Sequence, residues 1–429
     1  MSDANEPYAL TATEALARIK KGSLSATSWV GSCLERIHER DPMVRAWASL
    51  NDHVLDGVEE RWRQNRMPSI PVGVKDIIDV AGLPTMMGAD FHDSNVKTRD
   101  GGSIAIMREA GCAFVGKTVT TELGHLHPGP TRNPVNLEYT PGGSSSGSAA
   151  AVADLMVPLC LGTQTSGSVI RPAAYCGVIG YKPTYNDFDK TGILPNAPSM
   201  DTLGVIARSV EDISLLRGIL LEEANRQITD VDLTGFSFGV LRSPPWETAE
   251  TEVQDLIENF ADSLAILGCR IVNIQLNSEV SRLLELFRLI SGYEFRRSIA
   301  FERTRHFDQL SAVLREGRLA DGHQVDNVTY QKAIREVAEL RLMLAQKFND
   351  VDILITPVAK GPAPKSLAAT GSPEFNAAWS LAGNPVITLP LFNAKESGLP
   401  IGCQFIAGFA EDNVLLAAAD KLMMAFTAQ

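Results

Sequence analysis

The residues best suited to do chemistry lie in one stretch, positions 141–172, which reads PGGSSSGSAAAVADLMVPLCLGTQTSGSVIRP. It contains eight serine and threonine hydroxyls among glycines and small apolar residues, and its only formal charges are Asp154 and Arg171. Glycine lets a ligand approach the backbone closely, and a serine hydroxyl becomes a nucleophile once a base removes its proton. We therefore predict that this stretch forms an active site built on serine.

Three interpretations of the glycine-bounded segment 142–147 follow from its residues alone. A phosphate-binding loop would also place glycines before a helix, but the lysine of the usual phosphate-loop motif is missing. A nucleophile elbow would place Ser145 at the centre of a G-x-S-x-G motif, and it would need a late histidine, either His306 or His323. The third interpretation is a purely structural loop.

A lysine upstream of this stretch is a candidate base. Lys75 follows a short apolar strand, and burial there would lower its pKa towards neutrality. A serine between such a lysine and a nucleophile can both accept and donate a proton. The histidines nearest the stretch, His125 and His127, fit an ordinary loop better than a ligand set. Gly162 and Gly167 are expected to let consecutive backbone N–H groups turn towards one oxyanion.

Longer motifs carry a resemblance to a known family. They are PVGVKD at 71–76, GGSSSG at 142–147, GTQTSGSVIRP at 162–172, CG at 176–177, KPT at 182–184 and PSMDTLG at 198–204. With these motifs the chain resembles the amidase signature family from about residue 9 to its C-terminus. Within that family it is most similar to malonamidase-type enzymes, which share the GTQT sequence and C-terminal segments like those at 368–384 and 398–407.

The resemblance implies a mechanism and a set of residues. It implies a Ser–Ser–Lys triad in which Ser168 is the nucleophile, Ser144 the bridging serine after a cis peptide bond, and Lys75 the base. It also implies that Arg171 binds the acid end of the substrate, with a brace through an internal ion pair as the alternative for this residue. The expected oxyanion hole consists of the backbone N–H groups of Thr165, Ser166, Gly167 and Ser168, and the expected supporting residues are Ser145, Ser146, Thr163 and Asp201.

The elements that hold these residues alternate between strands and helices. The sequence predicts strands at 70–74, 112–116, 157–161, 178–181, 238–241, 271–274, 351–355, 386–391 and 401–406. It predicts a first helix from a capping box at 11–14, a second that ends before Pro42, and further helices at 104–110, from 149, and at 253–267. The alternation indicates an α/β fold with a buried sheet. The resemblance implies a mixed, twisted sheet covered by helices on both faces.

We expect residues 1–429 to form one large domain with three recognisable parts. These parts are an N-terminal helical part at 1–66, a signature core at 67–215, and a helical lobe at 280–350 that is broken near 317–327. The lobe and the loop at 357–384 are expected to form the far wall of the pocket. Candidates in that loop are Thr370, Asn376 and Trp379.

The composition disfavours several classes of partner. The chain has 429 residues and a formal net charge of −12, which disfavours nucleic acids and anionic membranes. No apolar run reaches the ~18 residues of a membrane span, and no secretory signal is recognisable. The six cysteines match no zinc or redox spacing, so we expect buried free thiols in a reducing compartment and a cytoplasmic protein. We expect no cofactor and no metal, and a homodimer is left open.

These observations favour a cofactor-free hydrolase of a small carboxylic amide that forms a Ser168 acyl-enzyme and releases ammonia or an amine. The resemblance favours an amide-acid like malonamate as substrate, with larger aryl or alkyl amides as the alternative. A second hypothesis is the ammonia-producing subunit of an amidotransferase, which would need a partner protein. A third is a non-catalytic binding protein that keeps the fold.

Overall fold

A mixed β-sheet runs through the centre of the protein. The computed structural model describes residues 6–65, 69–92, 94–223 and 228–427. The strands of this described part are β1 (Trp47–Leu50), β2 (Pro71–Lys75), β3 (Ala113–Thr118), β4 (Leu159–Gln164), β5 (Ile179–Lys182), β6 (Thr202–Ala207), β7 (Ser237–Leu241), β8 (Arg270–Ile274), β9 (Ile353–Pro357), β10 (Val386–Asn393) and β11 (Pro400–Ala407). Across the sheet their order is β1-β3-β2-β4-β6-β5-β10-β11-β9-β7-β8.

Helices cover both faces of this sheet. They are α1 (Ala12–Lys20), α2 (Ala26–Val44), α3 (Val58–Asn65), α4 (Gly102–Glu109), α5 (Ser146–Ala153), α6 (Ile170–Cys176), α7 (Val210–Leu220), α8 (Thr251–Ile266), α9 (Asn277–Ser298), α10 (Ala300–Arg305), α11 (Leu319–His323), α12 (Asn327–Lys347), α13 (Glu374–Ala382) and α14 (Asp412–Thr427). Alternate side chains of a strand enter different apolar clusters: Leu159 and Leu161 of β4 belong to one, and Cys160 between them to another. The predicted α/β fold is confirmed. None of the described helices has both the length and the apolar character needed to cross a membrane.

Most of the predicted elements are present, within a few residues at their ends. All nine predicted strands are found, and the capping box of α1 forms between Thr11 and Glu14. Strands β1 and β6 are not predicted from the sequence, because β1 has only four residues and β6 carries a glycine among its apolar residues. All six cysteines are buried and unbridged in the described part of the chain, as expected. The predicted boundary at 66–67 lies outside the described residues.

Two predicted helix boundaries are wrong. Helix α2 continues through Pro42 to Val44, because a proline in the last turn removes a single backbone hydrogen bond and Arg45 N–H still donates to the Asp41 carbonyl. The break predicted near 317–327 lies partly earlier. Residues 314–323 are helical, and the chain leaves helical geometry at Leu310, whose side chain is buried in an apolar cluster with Phe295.

The sheet brings the predicted catalytic segments together at one edge. Strands β2 and β4 are parallel neighbours, with Val74 opposite Leu161. Because parallel strands end at the same edge of a sheet, Lys75 at the end of β2 lies beside the end of β4. The 165–168 loop, which runs from β4 to α6, therefore forms next to Lys75.

Candidate active site

Lys75 is the last residue of β2, and its side chain is fully buried. Its Nζ lies 2.6 Å from Ser144 Oγ, 2.8 Å from Thr163 Oγ1 and 3.5 Å from the Thr163 carbonyl oxygen. A neutral amine has two N–H donors and one lone pair, so it can donate to both Thr163 oxygens while it accepts from Ser144. Burial lowers the pKa of Lys75 to about 7, although the nearby Asp201 carboxylate partly raises it. The amine is therefore available as a base near neutral pH.

Ser144 and Ser145 connect this lysine to the 165–168 loop. A cis peptide bond joins Gly143 to Ser144. The Ser145 N–H donates to the Ser168 carbonyl at 3.2 Å. Ser145 Oγ lies 3.3 Å from both the N–H nitrogen and the carbonyl oxygen of Thr163. The backbone that carries Ser144 is thus fixed against both the loop and the end of β4.

The other two predicted supporting residues have separate partners. Asp201 accepts hydrogen bonds from Thr165 Oγ1 at 2.6 Å and from the Asn196 N–H at 2.7 Å. Its carboxylate therefore holds the first residue of the 165–168 loop, although burial raises the pKa of Asp201. Ser146 Oγ donates to the Val119 carbonyl, behind the site.

The 165–168 loop directs its carbonyl groups into the protein. The Ser166 carbonyl accepts from Ser380 Oγ at 2.6 Å, and Ser380 Oγ also lies 3.1 Å from Gln164 Nε2. The Gly167 carbonyl accepts from the Arg171 N–H at 2.9 Å. By contrast, no described residue accepts from the backbone N–H groups of the predicted oxyanion hole, which are those of Thr165, Ser166, Gly167 and Ser168. These donors are available to a ligand.

Glycine is needed in β4 and in the 165–168 loop for space. Neither Gly162 nor Gly167 has a positive φ, and the expectation that they let the N–H groups turn towards one oxyanion stays a prediction. A Cβ atom on Gly167 would lie 2.3 Å from Asn376 Oδ1, and one on Gly162 would lie 2.8 Å from Ser145 Oγ. Any larger residue would push the loop away from the elements that hold it.

A cavity of about 40 Å³ opens beside Ser168. The 165–168 loop forms one wall. The cavity is also lined by Phe287, Ser291 and Phe295 of α9 and by Arg318, which precedes α11. The segment predicted as a lobe at 280–350 therefore contributes four of the side chains around this cavity.

Arg318 and His125 form a contact that the sequence analysis missed. Arg318 donates from Nη1 to Ser291 Oγ at 2.7 Å and from Nε to His125 Nε2 at 3.3 Å. Burial and the adjacent guanidinium lower the pKa of His125 to about 3, so the imidazole is neutral. The two side chains are 193 positions apart, and no local pattern indicates that they meet.

Arg171 is buried and braces the backbone around the site. Its Nε donates to the Thr370 carbonyl and its Nη2 to the Gly143 carbonyl, both at 2.8 Å. Its Nη1 is buried without a hydrogen-bond partner among the described residues. Arg171 therefore braces the backbone through carbonyl oxygens rather than through the ion pair given as the alternative. It does not line the described cavity beside Ser168. Its contact with substrate stays a prediction.

The remaining candidates for the far wall do not lie on it. Trp379 packs in an apolar cluster, the Thr370 carbonyl binds a guanidinium, and Asn376 Nδ2 lies 3.2 Å from a buried glutamine side chain. None of the three lines the cavity as described, to which the same loop contributes Pro373. The predicted loop is therefore the right one, but the predicted side chains are wrong.

The nucleophile-elbow interpretation does not agree with the structure. The ring of His306 stacks on Phe91 with centroids 4.7 Å apart, and exposed His323 lies 3.3 Å from Arg296. No histidine in the described ranges forms a hydrogen bond with Ser145. Ser145 therefore has no base of the kind that this fold class requires.

Comparison with known proteins agrees with this geometry. The amidase family model matches residues 29–416. A subunit of the glutamyl-tRNA(Gln) amidotransferase from Fusobacterium nucleatum is 28% identical over 97% of this chain and 97% of that protein. A solved amidase structure aligns with a TM-score of 0.88 at 28% identity, over 97% of this chain and 100% of that one. A peptide amidase bound to the competitive inhibitor chymostatin aligns with a TM-score of 0.84 at 26% identity, over 98% of each chain.

None of these relatives is named as a malonamidase, so the likeness to malonamidase-type enzymes stays a prediction. At the level of the family, the match over most of the chain confirms the resemblance seen in the motifs. The chain belongs to the amidase family, whose members hydrolyse carbon–nitrogen bonds.

Proposed function

We propose that this protein hydrolyses a small carboxylic amide, with Ser168 as nucleophile, Ser144 as proton relay and Lys75 as base. The observation that carries the proposal is the 2.6 Å contact between the buried Lys75 amine and Ser144 Oγ. A lysine whose pKa lies near 7 can accept a proton at neutral pH, as the base of a Ser–Lys system must.

In the acylation step, Lys75 takes the Ser144 proton while Ser144 takes the proton of Ser168. Ser168 Oγ then bonds to the amide carbon, and the carbonyl oxygen becomes an oxyanion. The available N–H groups of the 165–168 loop stabilise that oxyanion, and one such donor contributes ~3–4 kcal/mol in other hydrolases. When the carbon–nitrogen bond breaks, the nitrogen receives the proton back through Ser144 and leaves as ammonia or an amine.

In the deacylation step, water replaces the amine. Its proton passes through Ser144 to Lys75 as its oxygen attacks the ester carbon, and the ester bond to Ser168 breaks. The proton then returns to Ser168 Oγ. Each proton taken by Lys75 is thus returned within the cycle, and no cofactor is required.

Covalent labelling tests the nucleophile directly. A fluorophosphonate should modify Ser168, identified by mass spectrometry of the labelled peptide. Ser168→Ala should fold normally, lose labelling and lose amide turnover by several orders of magnitude, since loss of such a nucleophile costs ~10⁶ in rate. Ser278→Ala, at an exposed position on α9, is the matched control and should label like the wild type. A label on Ser145 would contradict the proposal.

The proposed substrate is a short amide-acid of the malonamate type. The cavity beside Ser168 is small and carries the Arg318 guanidinium, and a guanidinium binds a carboxylate through two parallel hydrogen bonds. Buried Arg171, with its unpartnered Nη1 within the described structure, adds positive charge near the same loop. We expect malonamate to be hydrolysed faster than propionamide. Arg318→Gln should reduce that preference by raising KM for the acid alone, and a preference for aryl amides would contradict this assignment.

A second candidate function is that of an ammonia-producing component of an amidotransferase. The relative from Fusobacterium nucleatum supports it, because its name describes a component of such an enzyme and the similarity spans 97% of both chains. The purified chain decides between the two functions. Ammonia release by a chain that elutes alone from size exclusion favours the hydrolase. Labelling of Ser168 without turnover of any small amide favours the amidotransferase component.

A further inference from the structure

The space available to a substrate is limited by the packing of two helices. The cavity beside Ser168 is small, at about 40 Å³. Ser291 and its neighbours on α9 line this cavity together with Arg318. The packing of α9 against the helical segment that carries Arg318 therefore affects the shape of the cavity and the position of the guanidinium in it.

The distance between these two elements is set by two glycines. Gly292 of α9 and Gly322 of α11 bring the backbones of the two helices into contact. A Cβ atom on Gly322 would lie 2.2 Å from the Gly292 carbonyl oxygen and 2.7 Å from its carbonyl carbon. Both neighbouring atoms belong to a helix backbone, which cannot yield as a flexible side chain can. Only glycine at 322 permits this approach.

The glycine contact also places Arg318. Residues four positions apart lie on the same face of a helix, so Arg318 and Gly322 both face α9. Arg318 Nη1 donates to Oγ of Ser291, the residue before Gly292, and its Nε donates to Nε2 of His125, which also lines the cavity. A shift of α11 away from α9 would carry the guanidinium away from Ser168.

We propose that the Gly292–Gly322 contact determines the chain length of the substrate. This inference rests on the proposed amide hydrolysis. With the amide carbon at Ser168 and the substrate carboxylate at Arg318, the contact fixes the number of methylenes between them. Gly322 is then a positioning residue for Arg318, and the enzyme prefers the shortest amide-acids.

The experiment compares kcat/KM for a series of ω-amide acids with one to four methylenes between amide and carboxylate. Wild type should prefer the shortest member. Gly322→Ala should lose about tenfold or more on that member relative to the longer ones, since a single methylene changes specificity by ~10–200-fold. The matched control is Gly317→Ala, in the same helical segment, where an added Cβ would meet no described atom within 4 Å. Its length profile should equal that of the wild type.

The possible outcomes separate this inference from the proposed function. If wild type hydrolyses none of the series, the proposed function fails. If wild type and all variants share one length profile, the amidase assignment stands and the inference is overturned. If Gly322→Ala does not fold, Gly292→Ala replaces it, because its Cβ would meet Gly322 N at a milder 3.1 Å. Thermal-shift titration with dicarboxylates from malonate to adipate compares the length preference of wild type and Gly322→Ala without turnover. The rate at which a fluorophosphonate labels Ser168 should be the same in both proteins.

Discussion

Replacing Lys75 with methionine should abolish activity and also change how stability depends on pH. Burial lowers the pKa of Lys75 to about 7, whereas an unfolded lysine titrates near ~10.4. Between these two values the unfolded chain binds more protons at this position than the folded chain. The free energy of unfolding therefore rises with pH by up to ~1.4 kcal/mol per pH unit because of this one residue.

The size of this effect on the free energy of unfolding follows from the same two pKa values of Lys75. Below about pH 7 both states hold the proton, and the buried lysine destabilises the fold by ~4–5 kcal/mol. Methionine removes this term but leaves Ser144 Oγ and Thr163 Oγ1 without their partner, at ~1–3 kcal/mol for each buried group. The two effects nearly offset each other near pH 7. The difference in unfolding free energy, Lys75→Met minus wild type, should then fall by ~1.5 kcal/mol between about pH 7 and about pH 8.5.

Urea unfolding followed by tryptophan fluorescence at several pH values in this range measures that difference. Other titrating groups cancel because both proteins contain them, including Lys182, whose pKa burial also lowers to about 7. Lys20→Met, at an exposed position on α1, is the control, and its difference from wild type should not change with pH. A Lys75→Met difference that is independent of pH would refute a neutral Lys75 in the folded protein, and with it the proposed base.

Two further predictions concern charges around the site. Asp201→Asn should move the acid limb of the pH–rate profile to lower pH, because the Asp201 carboxylate raises the pKa of Lys75 and its removal lets that pKa fall further. An acid limb that stays in place or moves to higher pH would contradict this prediction. Lys117→Met should destabilise the protein by ~3–5 kcal/mol in urea unfolding, because Lys117 Nζ lies 3.0 Å from buried Asp76 and the carboxylate would remain unpaired. Asp76→Asn combined with Lys117→Met should recover part of that loss, whereas an additive loss would argue against the pair.

The sequence predicted the parts of the site that adjoin the motifs. Lys75 ends a short apolar strand, and the serines lie in glycine-rich loops, so residue type and local context indicate their chemistry. Neither Arg318 nor the contact of His125 with it could be predicted in the same way. Arg318 lies in a helical segment whose local pattern suggests only a solvated face, and its role depends on packing between α9 and α11.

The errors in the predicted fold have specific causes. Strand β6 has the sequence TLGVIA, and its hydrogen bonds to β4 and β5 hold it in the sheet despite Gly204. The end of α2 depends on a cap by Arg45, which the proline rule alone does not include. Gly167 is required by its close contact with Asn376, which no local pattern indicates. The contacts that decide β6 and Gly167 are distant in sequence, whereas the cap that ends α2 is local.

In the proposed mechanism, catalysis and substrate binding depend on different charged groups around Ser168. Burial lowers the pKa of Lys75 to about 7 and that of His125 to about 3, so Lys75 loses its proton as the pH rises through about 7, whereas His125 is already neutral there. Arg318 stays charged across this range, because even a buried guanidinium does not lose its proton near neutrality. A substrate anion therefore meets a fixed cation, whereas proton transfer depends on a group that titrates. The acid limb of the rate profile should then appear in kcat, while KM for an amide-acid stays level over the same pH interval.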